Sequence, residues 1–215
     1  MIFDSTNQNL DDIEDAIQDI QNGKIIIVVD DKNRENEGDF MVSAEKITPK
    51  IVNFLITHGR GLVCVSLTEE KCDQLKLKMM VKNNTDPIRT AFTVSVDLIG
   101  YGVSTGISVS DRSKTIFALV NEFKPEAFNK PGHIFPLRAR KGGVLERPGH
   151  TEAAIDITKM AGCIPGGVIV EILNKNGSMA RTPQLIHIAK KFHIKIISIE
   201  DLIKYKIKHK KINKK

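Results

Sequence analysis

The chain reads as a single α+β domain, a mixed β-sheet packed by helices. Three observations predict it. Candidate strands and helices interleave irregularly from end to end, which suits a mixed sheet better than a repeating βαβ array. Several candidate strands are apolar without alternation, as strands covered on both faces are. No internal repeat and no Pro- or Ser-rich linker divides the 215 residues, a length that one large core can serve.

The elements follow in order. Leu10, Ile13, Ile17 and Ile20 recur at helical spacing, and Asn22-Gly23 supplies a stop. Residues 24–29 form an apolar strand. Thr48-Pro49 is an N-cap followed by a first-turn proline, opening a helix that ends near Gly59. Residues 61–67 are a second apolar strand, after which Thr68 caps a short helix through Leu75. Phe92, Val94, Val96 and Leu98 alternate, the pattern of a half-buried strand over 91–98. A helix covers 111–123 and a short strand 134–139. A helix over 151–160 stops at Gly162, a strand spans 167–173, and Asn176-Gly177 turns the chain. Thr182-Pro183 opens another helix, 194–199 is a strand, and the last helix begins near Glu200.

Charge and composition exclude several functions. The formal net charge is +6, but seven lysines and no acid lie in residues 203–215, so the rest of the chain carries −1. A nucleic-acid-binding body needs its own basic face, and none is evident; the tail is expected to be solvated. Cys64, Cys72 and Cys163 are odd in number and lack C-x-x-C spacing, which points to reduced thiols in a cytoplasmic protein. No apolar run is long enough to span a membrane or to resemble a signal peptide.

Three segments carry candidate chemistry. Asp30, Asp31, Glu35, Glu37 and Asp39 place five carboxylates within ten residues, directly after a core strand. A solvated loop is the common fate of such a run, but sheet ends are also where ligands bind. Pro131-Gly132-His133 and Pro148-Gly149-His150 repeat one tripeptide around a Gly- and Arg-rich stretch. A histidine presented from such a turn serves as a ligand or proton shuttle. Arg147 suits phosphate, and the helix beginning at Thr151 favours an anion at its N-terminus. Glu171 interrupts an otherwise apolar strand, where burial would raise its pKa toward the range of a general acid or base. Carboxylates with a histidine and no thiolate suit Mg²⁺ or Mn²⁺ better than zinc.

These residues fall in longer motifs. They are Asp30-Asp-x-x-Arg34-Glu-Asn-Glu-Gly-Asp39, Thr105-Gly-Ile-Ser108 with Asp111-Arg112, Lys130-Pro-Gly-His-Ile-Phe-Pro-Leu-Arg138, Gly142-Gly-Val-Leu-x-Arg147-x-Gly-His-Thr-Glu-Ala153 and Met179-Ala-Arg181. With Met79-Met-Val-x-Asn-Asn84, they resemble the 3,4-dihydroxy-2-butanone 4-phosphate synthase family of riboflavin biosynthesis. The resemblance covers residues 1–203 and leaves 204–215 as a lysine-rich tail. It implies conversion of D-ribulose 5-phosphate to L-3,4-dihydroxy-2-butanone 4-phosphate and formate by a cytoplasmic homodimer with sites near the subunit interface. It also implies Mg²⁺ or Mn²⁺, two ions per subunit, with Glu35 and His150 as ligands. By the same resemblance Arg34, Glu35, Asp39, Arg147, Pro148, Gly149, His150, Thr151 and Glu171 contact substrate, and His133 and Glu171 are essential to catalysis. Glu37, Cys64, Thr105 and Arg112 line the same pocket. Lys130 stands where the family commonly has Arg, and Pro148 fills a variable position. Some members carry a fused GTP cyclohydrolase II; the chain lacks its cysteine zinc motif, so one activity is expected.

Gly38 offers a hinge by which the acidic loop could close over substrate. Two rival readings remain open: a metal-dependent lyase or aldolase acting on another sugar phosphate, and a nucleic-acid module using the lysine tail.

Overall fold

Ile26, Ile27, Val28 and Val29 are all buried because they have a strand on each side and a helical layer on each face. The computed structural model describes residues 10–212. The strands are β1 (Ile26–Val29), β2 (Gly38–Ser43), β3 (Cys64–Leu67), β4 (Val96–Leu98), β5 (Phe128–Arg138), β6 (Gly166–Glu171) and β7 (Lys195–Ser198). They form one sheet in the order β4-β5-β3-β6-β2-β1-β7. The pairs β1–β7 and β3–β5 are parallel and the other four are antiparallel, so the sheet is mixed.

The helices are α1 (Ile13–Gln21), α2 (Pro49–His58), α3 (Glu69–Gln74), α4 (Val109–Val120), α5 (His150–Met160), α6 (Thr182–Phe192) and α7 (Ile199–Ile212). Alternate strand residues feed two cores. Ile27, Phe40, Val65 and Val170 pack with Leu55, Leu119 and Leu185 of α2, α4 and α6. Ile26, Val28, Met41, Cys64 and Ile169 pack with Ile20, Ala154, Ile157 and Leu202 of α1, α5 and α7. Thr48 and Thr68 cap α2 and α3 as their sequence suggests, accepting from the backbone N–H groups of Ile51 and Lys71.

Several elements differ from the sequence expectation. β2 is a fully buried strand that carries no alternation to betray it. The alternating run at 91–98 pairs as a strand only from Val96, while Phe92 and Thr93 make isolated bridges. β5 starts at Phe128, so Pro131-Gly132-His133 lies inside a strand rather than in a turn. Gly132 is required there: a Cβ would sit 2.0 Å from the carbonyl carbon of Val96 on the neighbouring strand. α7 passes through position 204 without a break, and the Lys206 ammonium pairs with the buried carboxylate of Asp156. Lys214 and Lys215 lie outside the described residues.

Candidate active site

One row of residues crosses the sheet at the ends of five chain segments. Val28 of β1 faces Asp39 of β2, and Asp39 faces Glu171 of β6. Cys64, Ile169 and Phe135 form the next row inward. Two residues outward from it stand Leu62, Glu171 and His133, and the Leu62 N–H donates to Glu171 Oε2 at 2.8 Å. By strand alternation these side chains share the α5 face. α5 can lie close because Gly167 faces it; a Cβ there would be 2.8 Å from the Ala154 Cβ. Its first residue, His150, thus reaches the end of β1.

His150 is buried, and its Nε2 lies 3.1 Å from the Val28 carbonyl oxygen. A carbonyl can only accept, so Nε2 carries the proton and Nδ1 keeps its lone pair. Nδ1 faces Glu35 Oε2 at 3.9 Å. Burial holds the imidazole below its ordinary pKa, although Asp30 and Glu35 pull it upward. Asp30, Glu35 and His150 present ligand atoms within 4.8 Å of one another. Two carboxylates and one tautomer-locked imidazole fit a hard divalent cation, with room for water and substrate oxygens. The Arg34 guanidinium lies against Asp30 and Glu35 and balances their charge.

Asp30 is the residue the sequence reading left without a role. Its Oδ2 accepts from Arg34 Nη1 at 2.8 Å and from the Glu35 N–H at 3.0 Å, and its Oδ1 accepts from the Glu37 N–H at 2.8 Å. One buried carboxylate therefore folds the loop that displays Glu35. Arg181, which enters α6, clamps the same loop by donating to the carbonyls of Glu35 and Asn36. Gly38 is no hinge: it opens β2, and a Cβ on it would lie 2.5 Å from Leu185. The position of Asp30 after the apolar strand was a usable signal; nothing local distinguished Arg181.

The carboxyl group pushed up by its surroundings is that of Asp39. It is buried, and burial together with the charges of Glu171, Glu35, Glu37 and Asp30 raises it well above the usual carboxylate range. Glu171 ends β6 half-buried instead of interrupting the strand interior. Its carboxylate rests on Gly61, where a Cβ would come within 2.3 Å of Oε2. Cys64 lies beneath, buried, its thiol pushed up by burial and by Glu171 and Asp39. Glu37 is also raised, by burial first and Glu35 second.

At the start of α5, two guanidinium groups converge on Gly149: a Cβ there would lie 2.4 Å from Arg147 Nη1 and 3.0 Å from Arg34 Nη2. Arg147 is engaged within the chain. Its Nη1 donates to Glu152 at 2.7 Å and its Nη2 to the Ile88 carbonyl at 3.1 Å. Arg34, although paired with Asp30 and Glu35, also reaches Gly149, and the first N–H groups of α5 add anion donors there. Pro148 is exposed, and Thr151 is buried in the first turn.

His133 stands apart from this cluster, about two strand spacings (~10 Å) from Glu171. Its Nδ1 lies 2.6 Å from Asp97 Oδ2, and its N–H donates to Asp97 Oδ1 at 2.9 Å. Gly106 packs on the same carboxylate, which brings Thr105 beside the pair. Arg112 is half-buried on α4 with an unpartnered Nε. Lys130 donates to the Leu75 and Lys76 carbonyls, a pair of point contacts that an ammonium serves well.

A family model described as 3,4-dihydroxy-2-butanone 4-phosphate synthase matches residues 14–205. The riboflavin biosynthesis protein RibBA of Cytophaga hutchinsonii is 56% identical over 207 residues, covering 96% of the chain and 51% of that protein. RibBA of Aquifex aeolicus is 53% identical over 94% of the chain and 50% of its own length. The chain thus spans about half the length of the curated relatives it matches. A crystal structure of 3,4-dihydroxy-2-butanone 4-phosphate synthase in complex with two magnesium ions superposes with a TM-score of 0.90 at 39% identity, covering 92% of this chain and 97% of that one. The two-domain synthase RibBX of A. baumannii gives a TM-score of 0.87 at 44% identity, covering 91% of this chain and 57% of that one.

Proposed function

The chain belongs to the 3,4-dihydroxy-2-butanone 4-phosphate synthase family, and from that premise we propose that it converts D-ribulose 5-phosphate to L-3,4-dihydroxy-2-butanone 4-phosphate and formate. The observation that carries the reading is the Nδ1 lone pair of His150 aimed at Glu35, one strand from the Asp39–Glu171 pair.

Glu35 and His150, with Asp30 behind them, would hold Mg²⁺ or Mn²⁺; two ions per subunit is our proposal, and a relative's crystal structure is in complex with two magnesium ions. When bound, a divalent ion stabilises negative charge on adjacent substrate oxygens. Arg34 and the amides at the start of α5 bind the phosphate, while Arg147, braced by Glu152, shapes that cradle through Pro148, Gly149 and Thr151. Asp39, whose carboxyl is pushed upward by burial and the neighbouring acids, contacts a substrate hydroxyl. Glu171, oriented by the Leu62 N–H, exchanges protons with the sugar carbons and oxygens. His133, oriented by Asp97, is the second proton-transfer group.

The distance between His133 and the metal cluster supports a homodimer that brings them together. Leu62, Met79, Met80, Val81 and Ile107 are exposed apolar residues in the segments before β3 and on either side of β4, and burying them between subunits is favourable. No helix among the described residues is long and apolar enough to cross a membrane. The expected boundary at 203 falls inside α7, and Lys206 is held by Asp156, so only the lysines after Lys206 are proposed as dispensable for turnover.

Incubation with ribulose 5-phosphate and Mg²⁺ tests the reading, with formate followed by NMR. Formate release that a chelator stops is the expected result. No turnover of ribulose 5-phosphate, with chelator-sensitive turnover of another sugar phosphate, would favour the rival lyase or aldolase.

A further inference from the structure

The end of α2, the chain after β6 and the outer side of α6 enclose a cavity of 460 Å³, on the sheet face opposite α5. Arg60, Lys175 and Lys191 line it with full positive charges, His58 and His187 add imidazoles, and none of the described lining residues is acidic. Arg60 spends a hydrogen bond on the Asn174 carbonyl, 3.1 Å away, and Lys191 stands 5.0 Å over the Phe192 ring. Neither charge is paired with a carboxylate among the described residues. The His58 ring forms a wall with Phe54 and Phe192, its centroid 4.6 Å from each. Burial, then Lys191 and Arg60, hold that imidazole below its ordinary pKa, so at neutral pH it is an uncharged aromatic plate. A concentration of unpaired cations beside aromatic faces attracts an anion that carries a planar ring. The volume suits a ligand of that kind.

We propose that this cavity binds a planar heterocycle bearing a phosphate monoester, the chemical class of a nucleoside monophosphate, and that its occupancy is transmitted to Glu171. The route is four residues long. Leu173 donates to the Gly59 carbonyl at 2.9 Å, Arg60 bridges Ile172, and Gly61 donates to the Glu171 carbonyl at 3.2 Å. Leu62 then donates to the Glu171 carboxylate. Segment 59–62 is therefore cavity wall at one end and carboxylate support at the other. Binding does not depend on the proposed reaction; the importance of Glu171 does.

The test uses the full chain with Mg²⁺ and AMP as probe, with adenosine and inorganic phosphate as partial probes, by calorimetry. Saturable AMP binding is expected, with each partial probe at least about tenfold weaker. Lys175→Glu and Lys191→Glu, both on exposed positions, should each weaken AMP by about tenfold or more with an unchanged melting temperature, whereas Arg34→Ala should not. Hydrogen exchange at the Leu62 amide should slow when AMP is bound. The proposal is overturned by no AMP binding, by phosphate binding as tightly as AMP, or by affinity that survives both lysine reversals and is lost in Arg34→Ala. Exchange at Leu62 that ignores bound AMP removes the link to Glu171. None of these readouts uses formate, so failure of the proposed reaction is told apart from failure of the site.

Discussion

Asp39 shows how a single residue trades stability for chemistry. Its carboxyl is raised in the folded chain by burial and by four neighbouring acids. The unfolded chain therefore loses that proton at lower pH than the folded chain does. Stability falls as pH rises from the ordinary carboxylate range through the raised value. Asp39→Asn removes this penalty, and in the presence of a chelator it should raise the melting temperature at pH 7. The gain should shrink as pH falls through the ordinary Asp range and vanish at about pH 2–3, where the unfolded carboxyl is protonated too; a gain that persists there would point to packing instead. Glu171→Gln should abolish formate release while metal and substrate binding remain, as equilibrium titration would show. Comparable loss of binding and turnover would deny Glu171 a role in proton transfer. At this scale Glu171 stood out from its apolar run and His150 from a repeated Pro-Gly-His, whereas only the family resemblance picked Glu35 from five carboxylates. The position of Asp30 was a signal but its role was not, and the role of Arg181 was equally hidden, since both hold the backbone of a loop whose path no spacing reveals.

At the scale of elements, the close approach of α5 to the sheet sets the metal cluster. Gly167→Val would force its side chain against Ala154 and tilt the helix that carries His150. A loss of about 1–3 kcal/mol is expected, read by denaturant melts, together with weaker Mg²⁺ binding by calorimetry. Unaltered Mg²⁺ affinity would separate helix position from site geometry. Caps and wholly apolar strands announced themselves: Thr48, Thr68 and the run at 26–29 behave as their chemistry dictates. β2 escaped notice because a strand covered on both faces has no period of two, and its first residues belong to an acidic run. The Pro-Gly of β5 misled for a different reason. Its glycine answers to the backbone of β4, a contact between residues more than thirty positions apart.

For the molecule as a whole, metal and subunit contacts act on the same equilibrium. A cation that binds only the folded state stabilises it by mass action, about 2.7 kcal/mol at a hundredfold excess over Kd. Thermal melts should therefore rise with Mg²⁺, and His150→Ala should abolish most of the rise. The exposed Met79, Met80 and Val81 predict an assembly of two chains. Met80→Glu with Val81→Glu should shift sedimentation from dimer to monomer and cost formate release; activity in a clean monomer would mean that His133 serves its own chain.

Arg34 has one guanidinium and two claimants. It lies between Asp30 and Glu35 as a counter-ion built into the chain, and its other terminal nitrogen reaches toward Gly149. A divalent cation held by those carboxylates would relieve it of the first duty and leave it to the phosphate. A phosphate ester should therefore bind more weakly to the chelated protein than to the Mg²⁺-loaded one, as calorimetry would show.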